Sequence, residues 1–239
     1  MGKKILGVLG GMGPAASARF FTLLTKFTKA QSDAEHIKTV IVSASDIPDR
    51  TAFITGKSAD DPLPAMKNAL ASLHRAGAEV IAVPCNTADF FYSGLREMSP
   101  YPILRAAHTC VSFAARKGVR KLGVLATDGA VKTGVYQKAC AEMGIEVILP
   151  CAAAQEKLNG IIYGKLKRSE LPDKESFRSI ASELLLSGCD AIALGCTELS
   201  LIPMDGDDEK FHFIDSLSVL ARESILACGY DIDERFAEL

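Results

Sequence analysis

Short runs of apolar residues recur along this chain, each closed by glycine, cysteine or small polar residues. Lys4-Ile-Leu-Gly-Val-Leu9, residues 39–44, Val80-Ile-Ala-Val83, residues 102–104, Lys121-Leu-Gly-Val-Leu125, residues 146–149 and Ala191-Ile-Ala-Leu-Gly195 are such runs. Their length and β-branched content predict buried strands of a parallel sheet, whose two covered faces suppress alternation. Between them apolar residues return at helical spacing. Helices are predicted over residues 15–29, from Asp61-Pro62 through Leu63, Met66, Leu70 and Leu73, over 108–117 up to Gly118, and over 131–143, 174–186 and 215–227. Residues 87–98 continue helically. Gln155-Glu156 and Asp205-Gly-Asp-Asp-Glu209 are placed in loops, the latter without the spacing of an EF-hand. Strands alternating with helices define an α/β fold.

The pattern is written twice. Val80-Ile-Ala-Val-Pro-Cys85-Asn86-Thr87-Ala88 is echoed by Ala191-Ile-Ala-Leu-Gly-Cys196-Thr197-Glu198-Leu199, and the opening strand by residues 121–125. Gly7 precedes Cys85 by 78 residues and Gly123 precedes Cys196 by 73. Two pseudo-symmetric domains follow, each a parallel-sheet α/β sandwich: 1–114 with the returning tail 210–239, and 115–209. A strand ending in Cys-Asn-Thr or Cys-Thr-Glu puts its thiol at the carboxyl edge of the sheet, where open α/β folds keep ligands. One cysteine from each half then faces the same cleft.

The remaining composition narrows the function. Across 239 residues, 27 Lys and Arg against 29 Asp and Glu give a net charge of −2, with the signs interspersed. No basic stripe exists for nucleic acid or anionic membranes, and no apolar run spans a bilayer. Seven cysteines without a Cys-x-x-Cys pair read as reduced thiols in the cytoplasm, and four scattered histidines fit no metal-ligand spacing. The basic and apolar N-terminus resembles a secretory signal, but glycines and Pro14 interrupt it, and Leu6 excludes a myristoylation motif at Gly2.

Gly10-Gly-Met-Gly-Pro14 is a tight strand-to-helix bend whose amides cradle an anion. It formally matches the dinucleotide fingerprint, yet no acidic residue closes the second strand at the ribose position, since Asp46 comes late and in a turn. Asp49-Arg50 is either a solvated ion pair or a site where Arg50 forks onto a substrate carboxylate and Asp49 handles a proton. Cys110, Cys140, Cys151, Cys189 and Cys228 read as small apolar fillers. Cys85 and Cys196 are either two more of these or a pair of acid/base groups on opposite faces of one carbon. The second use needs help with acidity, because only about 3% of a free thiol is ionised at pH 7. Neighbouring carboxylates, Arg50, the bend amides and the Asn86, Thr87 and Thr197 groups supply that help without a cofactor.

Gly10-Gly-Met-Gly-Pro14, Ile47-Pro-Asp-Arg50, Pro84-Cys-Asn-Thr-Ala88 and Gly195-Cys-Thr-Glu-Leu199, in this order, resemble the PLP-independent aspartate/glutamate racemase family over essentially the whole chain. The resemblance implies an active site between two α/β domains, Cys85 and Cys196 as the acid/base thiols, and Asp49 and Glu198 as their assistants. It also implies that Arg50 binds a substrate carboxylate, with Met12 and Gly13 of the bend beside it. Asn86, Thr87, Thr127 and Thr197 hold the α-carboxylate and amine, and Lys167, with Lys165 as neighbouring candidate, meets the side-chain carboxylate. The implied assembly is a homodimer, and no cofactor or metal is called for. Asp89 stands where the family usually has His, which either favours a helix start or alters the substrate or proton path. Inversion of aspartate or glutamate leads. An isomerase or decarboxylase of small dicarboxylates is the near alternative, and a non-catalytic ligand-binding protein is the distant one, needing neither thiol.

Overall fold

The computed structural model describes residues 2–168 and 170–238. The first series of elements is β1 (Leu6–Gly10), α1 (Pro14–Phe27), β2 (Thr39–Ser43), α2 (Arg50–Ile54), α3 (Pro62–Arg75), β3 (Val80–Val83), α4 (Tyr92–Arg96), β4 (Ile103–Arg105) and α5 (Ala106–Arg116). The second is β5 (Lys121–Ala126), α6 (Asp128–Thr133), α7 (Val135–Glu142), β6 (Glu146–Ile148), α8 (Ala152–Gly164), α9 (Lys174–Leu186), β7 (Ala191–Gly195), β8 (Phe213–Asp215) and α10 (Ser216–Ala227). Local chemistry sets many borders. Pro14 and Pro62 occupy first helical turns, where a missing N–H costs nothing. Asp61, Thr127, Asp173 and Asp215 cap α3, α6, α9 and α10 by accepting first-turn amides.

The strands form two parallel sheets, ordered β2-β1-β3-β4 and β6-β5-β7-β8. β1, β3 and β7 are buried along their whole length, as their unbroken apolar runs require. Strand order reverses between β1 and β3, and again between β5 and β7. The crevice above the carboxyl ends at such a reversal is where an open sheet accepts a ligand.

The two halves exchange their last helices. α5 follows the first sheet but packs Ala107, Cys110, Val111 and Ala114 against Leu122, Val124 and Ala193 of the second. α10 follows the second sheet and packs Leu217, Leu220, Ala221 and Ile225 against Leu6, Val8 and Val80 of the first. Each fully buried Leu or Ile contributes about 1.5–3 kcal/mol, so the exchange ties the halves into one body.

Several predicted borders move. β8 pairs with β7 and carries the second sheet past residue 209, and α5 packs on the second core from Ala107 onward. Gln155 and Glu156 lie within α8 and not in a loop, because Ala154, Leu158, Ile161 and Ile162 form a helical stripe that is buried. The predicted helix over 131–143 breaks at Gly134, whose φ of 68° separates α6 from α7. Residues 87–98 begin as a 3-10 turn, Asn86–Phe91, before α4. The acidic segment is a 3-10 turn, Gly206–Phe211, with Asp208 buried against Arg178 at 2.8 Å. Among the described residues no helix is long and apolar enough to cross a membrane.

Candidate active site

The carboxyl ends of β1, β3, β5 and β7 converge on one cavity between the halves. Met12 enters it from the β1–α1 bend, Cys85, Asn86 and Thr87 from the end of β3, Thr127 from the end of β5, and Cys196, Thr197 and Glu198 from the end of β7. Asp49 and Arg50 reach it from the β2–α2 turn, and Tyr163 and Lys167 cover it from the end of α8 and the turn after it. Every predicted site residue except Gly13 lines this cavity. Gly13 is not among the lining residues; a β-carbon there would come 3.2 Å from Glu198 Oε1, a tight contact with that carboxylate. Of the two candidate lysines, Lys167 is in the cavity, whereas Lys165 pairs with Glu170 outside it. The walls leave a void of about 20 Å³, room for one water.

The two thiols are both buried and differently partnered. Cys196 Sγ donates to Glu198 Oε2 at 3.0 Å, and Thr197 Oγ1 donates to the same oxygen at 3.3 Å. Burial pushes the Cys196 thiol well above its ordinary range, and the charge of Glu198 pushes it further. Burial also raises the Cys85 thiol, but the Arg50 guanidinium offsets part of the rise. Glu198 Oε1 is buried with no hydrogen-bond partner.

Arg50 is itself buried and anchored by its own loop. Its Nη1 donates to the carbonyls of Ile47 at 3.1 Å and Pro48 at 2.9 Å, while Nε is buried without a partner. A desolvated donor left unpaired costs about 1–3 kcal/mol, which an incoming carboxylate recovers. Asp49 is arranged otherwise than a proton acceptor for Cys85. Its Oδ1 caps α2 through Ala52 N–H at 2.7 Å, its Oδ2 accepts from Lys167 at 3.4 Å, and no hydrogen bond joins it to Cys85 among the described residues. Burial pushes its carboxyl up, yet the Ala52 amide, Lys167 and Arg50 together outweigh this and hold it below the usual range. Lys167 also lies 4.3 Å over the Tyr163 ring, and the Tyr163 hydroxyl is buried without a partner.

Asn86 is engaged on both sides of its amide, by Tyr136 Oη at 2.7 Å and Ser216 Oγ at 2.9 Å, leaving less of it for a substrate than expected. Thr87 and Thr127 join the halves through a hydroxyl pair at 2.8 Å, and Thr127 also caps α6. Asp89 points away from the cavity; its Oδ2 accepts the His108 amide of α5 at 3.2 Å, its Oδ1 has no partner, and burial pushes its carboxyl up to about 7.

Sequence reasoning left Thr51 and Tyr163 without roles, although both line the cavity. The Tyr163-x-x-x-Lys167 run, which resembles the family's pattern, pointed to Lys167 and left Tyr163 itself without a role. Nothing local marks Thr51.

A doubled parallel-sheet α/β protein whose halves each present one thiol to a single buried polar cleft is the class these features define. The chain belongs to the Asp/Glu/Hydantoin racemase family, whose model matches residues 9–224. It is similar to the broad specificity amino-acid racemase RacX of Bacillus subtilis, 24% identical over 229 residues that span 92% of this chain and 96% of the relative. A glutamate racemase of Aquifex aeolicus is 26% identical over 152 residues, 61% of this chain and 57% of that one. In fold the chain matches the aspartate racemase of Picrophilus torridus with a TM-score of 0.85, covering 98% of both chains at 24% identity.

Proposed function

We propose that this chain inverts the α-carbon of aspartate or glutamate by cofactor-independent proton transfer between Cys85 and Cys196. The observation that carries the reading is the placement of both thiols, from equivalent strand ends, on the wall of one small cavity, with a carboxylate in hydrogen-bond contact with one of them. Glu198 Oε2 takes the proton of Cys196, and the thiolate then removes the α-hydrogen of the enantiomer that presents it on that side. Cys85 returns a proton on the opposite face. In the reverse direction Cys85, the thiol that Arg50 makes easier to ionise, acts as the base. The free edge of Arg50 and the Thr87, Thr127 and Thr197 hydroxyls take the α-carboxylate and amine, where charge develops as the proton leaves. Asp49 serves by holding Lys167 over the cleft, and Lys167 meets the substrate side chain. A homodimer in the cytoplasm belongs to the same reading, and sedimentation velocity checks the assembly.

A second reading is favoured by one observation: Asp49 already meets the charge of Lys167, which leaves room for a neutral side chain. The more fully overlapping relative is itself named for broad specificity. A panel of single enantiomers in heavy water, followed by loss of the α-proton signal and by optical rotation, tests both. Inversion with deuterium uptake by chelator-treated protein is expected, and acidic substrates should lead the panel. Turnover that appears only after adding pyridoxal phosphate or a metal ion sinks the proposal, and preference for neutral amino acids selects the second reading.

A further inference from the structure

Tyr136 touches the immediate neighbours of both thiols without lining the cavity. Its ring covers the end of β7 so closely that a β-carbon on Gly195 would fall 2.9 Å from Tyr136 Cε2; Gly195 directly precedes Cys196. Its hydroxyl donates to Asn86 Oδ1 at 2.7 Å, and Asn86 directly follows Cys85. The side chain is 1% exposed, and burial keeps the phenol protonated, so it acts as donor.

The remaining bonds are fixed by elimination. The Leu194 carbonyl can only accept, so Ser216 Oγ donates to it at 2.7 Å. Ser216 Oγ therefore accepts from Asn86 Nδ2 at 2.9 Å, which turns Asn86 Oδ1 toward Tyr136. A closed path thus runs from Cys85 through Asn86 to Tyr136 and Gly195, and in parallel through Ser216 to Leu194, two residues before Cys196. Every polar atom on it is buried and paired, the condition under which such a network rigidifies its surroundings.

We infer that Tyr136 is a positioning residue, a strut that sets the separation of Cys85 and Cys196, with Asn86 and Ser216 completing the brace. The inference rests on the two-thiol reading above. Inversion requires the second thiol to reach the carbanion before the first returns a proton. When the gap is wrong, the first thiol, having exchanged its proton with solvent, reprotonates the same face. The signature is deuterium uptake with retention of configuration.

The test compares the parent with Tyr136→Phe, which keeps the ring on Gly195 and leaves Asn86 Oδ1 unpaired, and with Ser216→Ala, which cuts the other arm. Each enantiomer is incubated in heavy water, and exchange with retention is measured against inversion alongside kcat, KM and thermal midpoint. Phe27→Leu, in the core at the far end of α1, supplies a destabilised control remote from the cleft. The expected result for both test variants is a rise of about threefold or more in the retention-to-inversion ratio, with kcat down about tenfold and KM within about twofold of the parent. Phe27→Leu should lower the midpoint at an unchanged ratio. A parent that inverts while both variants keep its ratio overturns the strut alone, because a merely structural role lowers exchange and inversion together. A parent that inverts neither enantiomer overturns the strut and the two-thiol reading at once.

Discussion

Cys196 Sγ lies 3.0 Å from Glu198 Oε2, and no comparable contact joins Cys85 to Asp49. The two thiols therefore differ in their hydrogen-bond partners. In Glu198→Gln the Cys196 proton loses its acceptor while the side chain keeps its shape. Turnover should fall by about 10²-fold or more, as for the loss of a general base, with the thermal midpoint nearly unchanged. Removing the Glu198 charge also lowers the Cys196 pKa, since that charge is one of the two largest causes raising it. The residual rate of the variant should climb with pH through the thiol range more steeply than the parent rate, and a flat profile at parental activity removes Glu198 from the reaction.

Arg50 offers a prediction of a different kind, because one edge of its guanidinium is consumed by Ile47 and Pro48 while the buried Nε is free. A lysine supplies one point charge and cannot hold the loop and a carboxylate together. Arg50→Lys should lower kcat/KM by more than tenfold, about 1.4 kcal/mol of transition-state binding. Steady-state kinetics with unchanged kcat/KM would move the carboxylate to Lys167.

Asp89 predicts a pH dependence of stability. Its carboxyl rises from 3.8 to about 7 in the folded chain, so the folded state binds the proton more tightly than the unfolded one. The sign follows by linkage: at pH 3 both states are protonated and Asp89 is neutral for stability, and as pH rises toward 7 the unfolded chain ionises first and stability is lost. Three pH units correspond to about 4 kcal/mol at full burial, and on the order of 2 kcal/mol for a residue that remains partly exposed. Asp89→Asn keeps an acceptor for the His108 amide and removes the titration. Urea unfolding should show the variant more stable than the parent at pH 8 and the two nearly equal at pH 4; equal stabilities at pH 8 would contradict it.

Much of this architecture was legible because its signals are local. The buried strands ending at Cys85 and Cys196 stand out as unbroken apolar runs, and α9 has the predicted limits, 174–186, because Asp173 caps it and Gly188 follows it. β8 was missed because Phe213-Ile214-Asp215 runs directly into the helix that begins at Ser216, and the strand exists through its pairing with β7. α8 was missed because Asn159 and Gly160 weaken its propensity, and only tertiary burial of its apolar stripe sustains it. The residues that line the candidate cavity were legible mainly as strand-end residues. The use of each was less so: Asn86 faces Tyr136 and Asp49 faces Lys167 across the domain joint, and no spacing within the chain encodes contacts that form only when the halves meet.

The sharpest test lies in the division of labour between the two cysteines. A thiol on one face can deprotonate only the enantiomer whose α-hydrogen points toward it, so Cys85→Ala and Cys196→Ala should each abolish racemisation. The thiol that remains can still exchange the hydrogen of one enantiomer with solvent, and the two variants should therefore prefer opposite enantiomers in residual deuterium uptake. The unequal partners of the thiols add a further expectation. Cys85→Ala retains Cys196 with its Glu198 acceptor, and should exchange faster than Cys196→Ala, whose Cys85 has no carboxylate acceptor and is helped chiefly by the Arg50 charge. Proton NMR of each enantiomer in heavy water reads both outcomes. Uptake into the same enantiomer by both variants, or racemisation at the parental rate by either, would make a carboxylate such as Glu198 the direct base and end the two-thiol account.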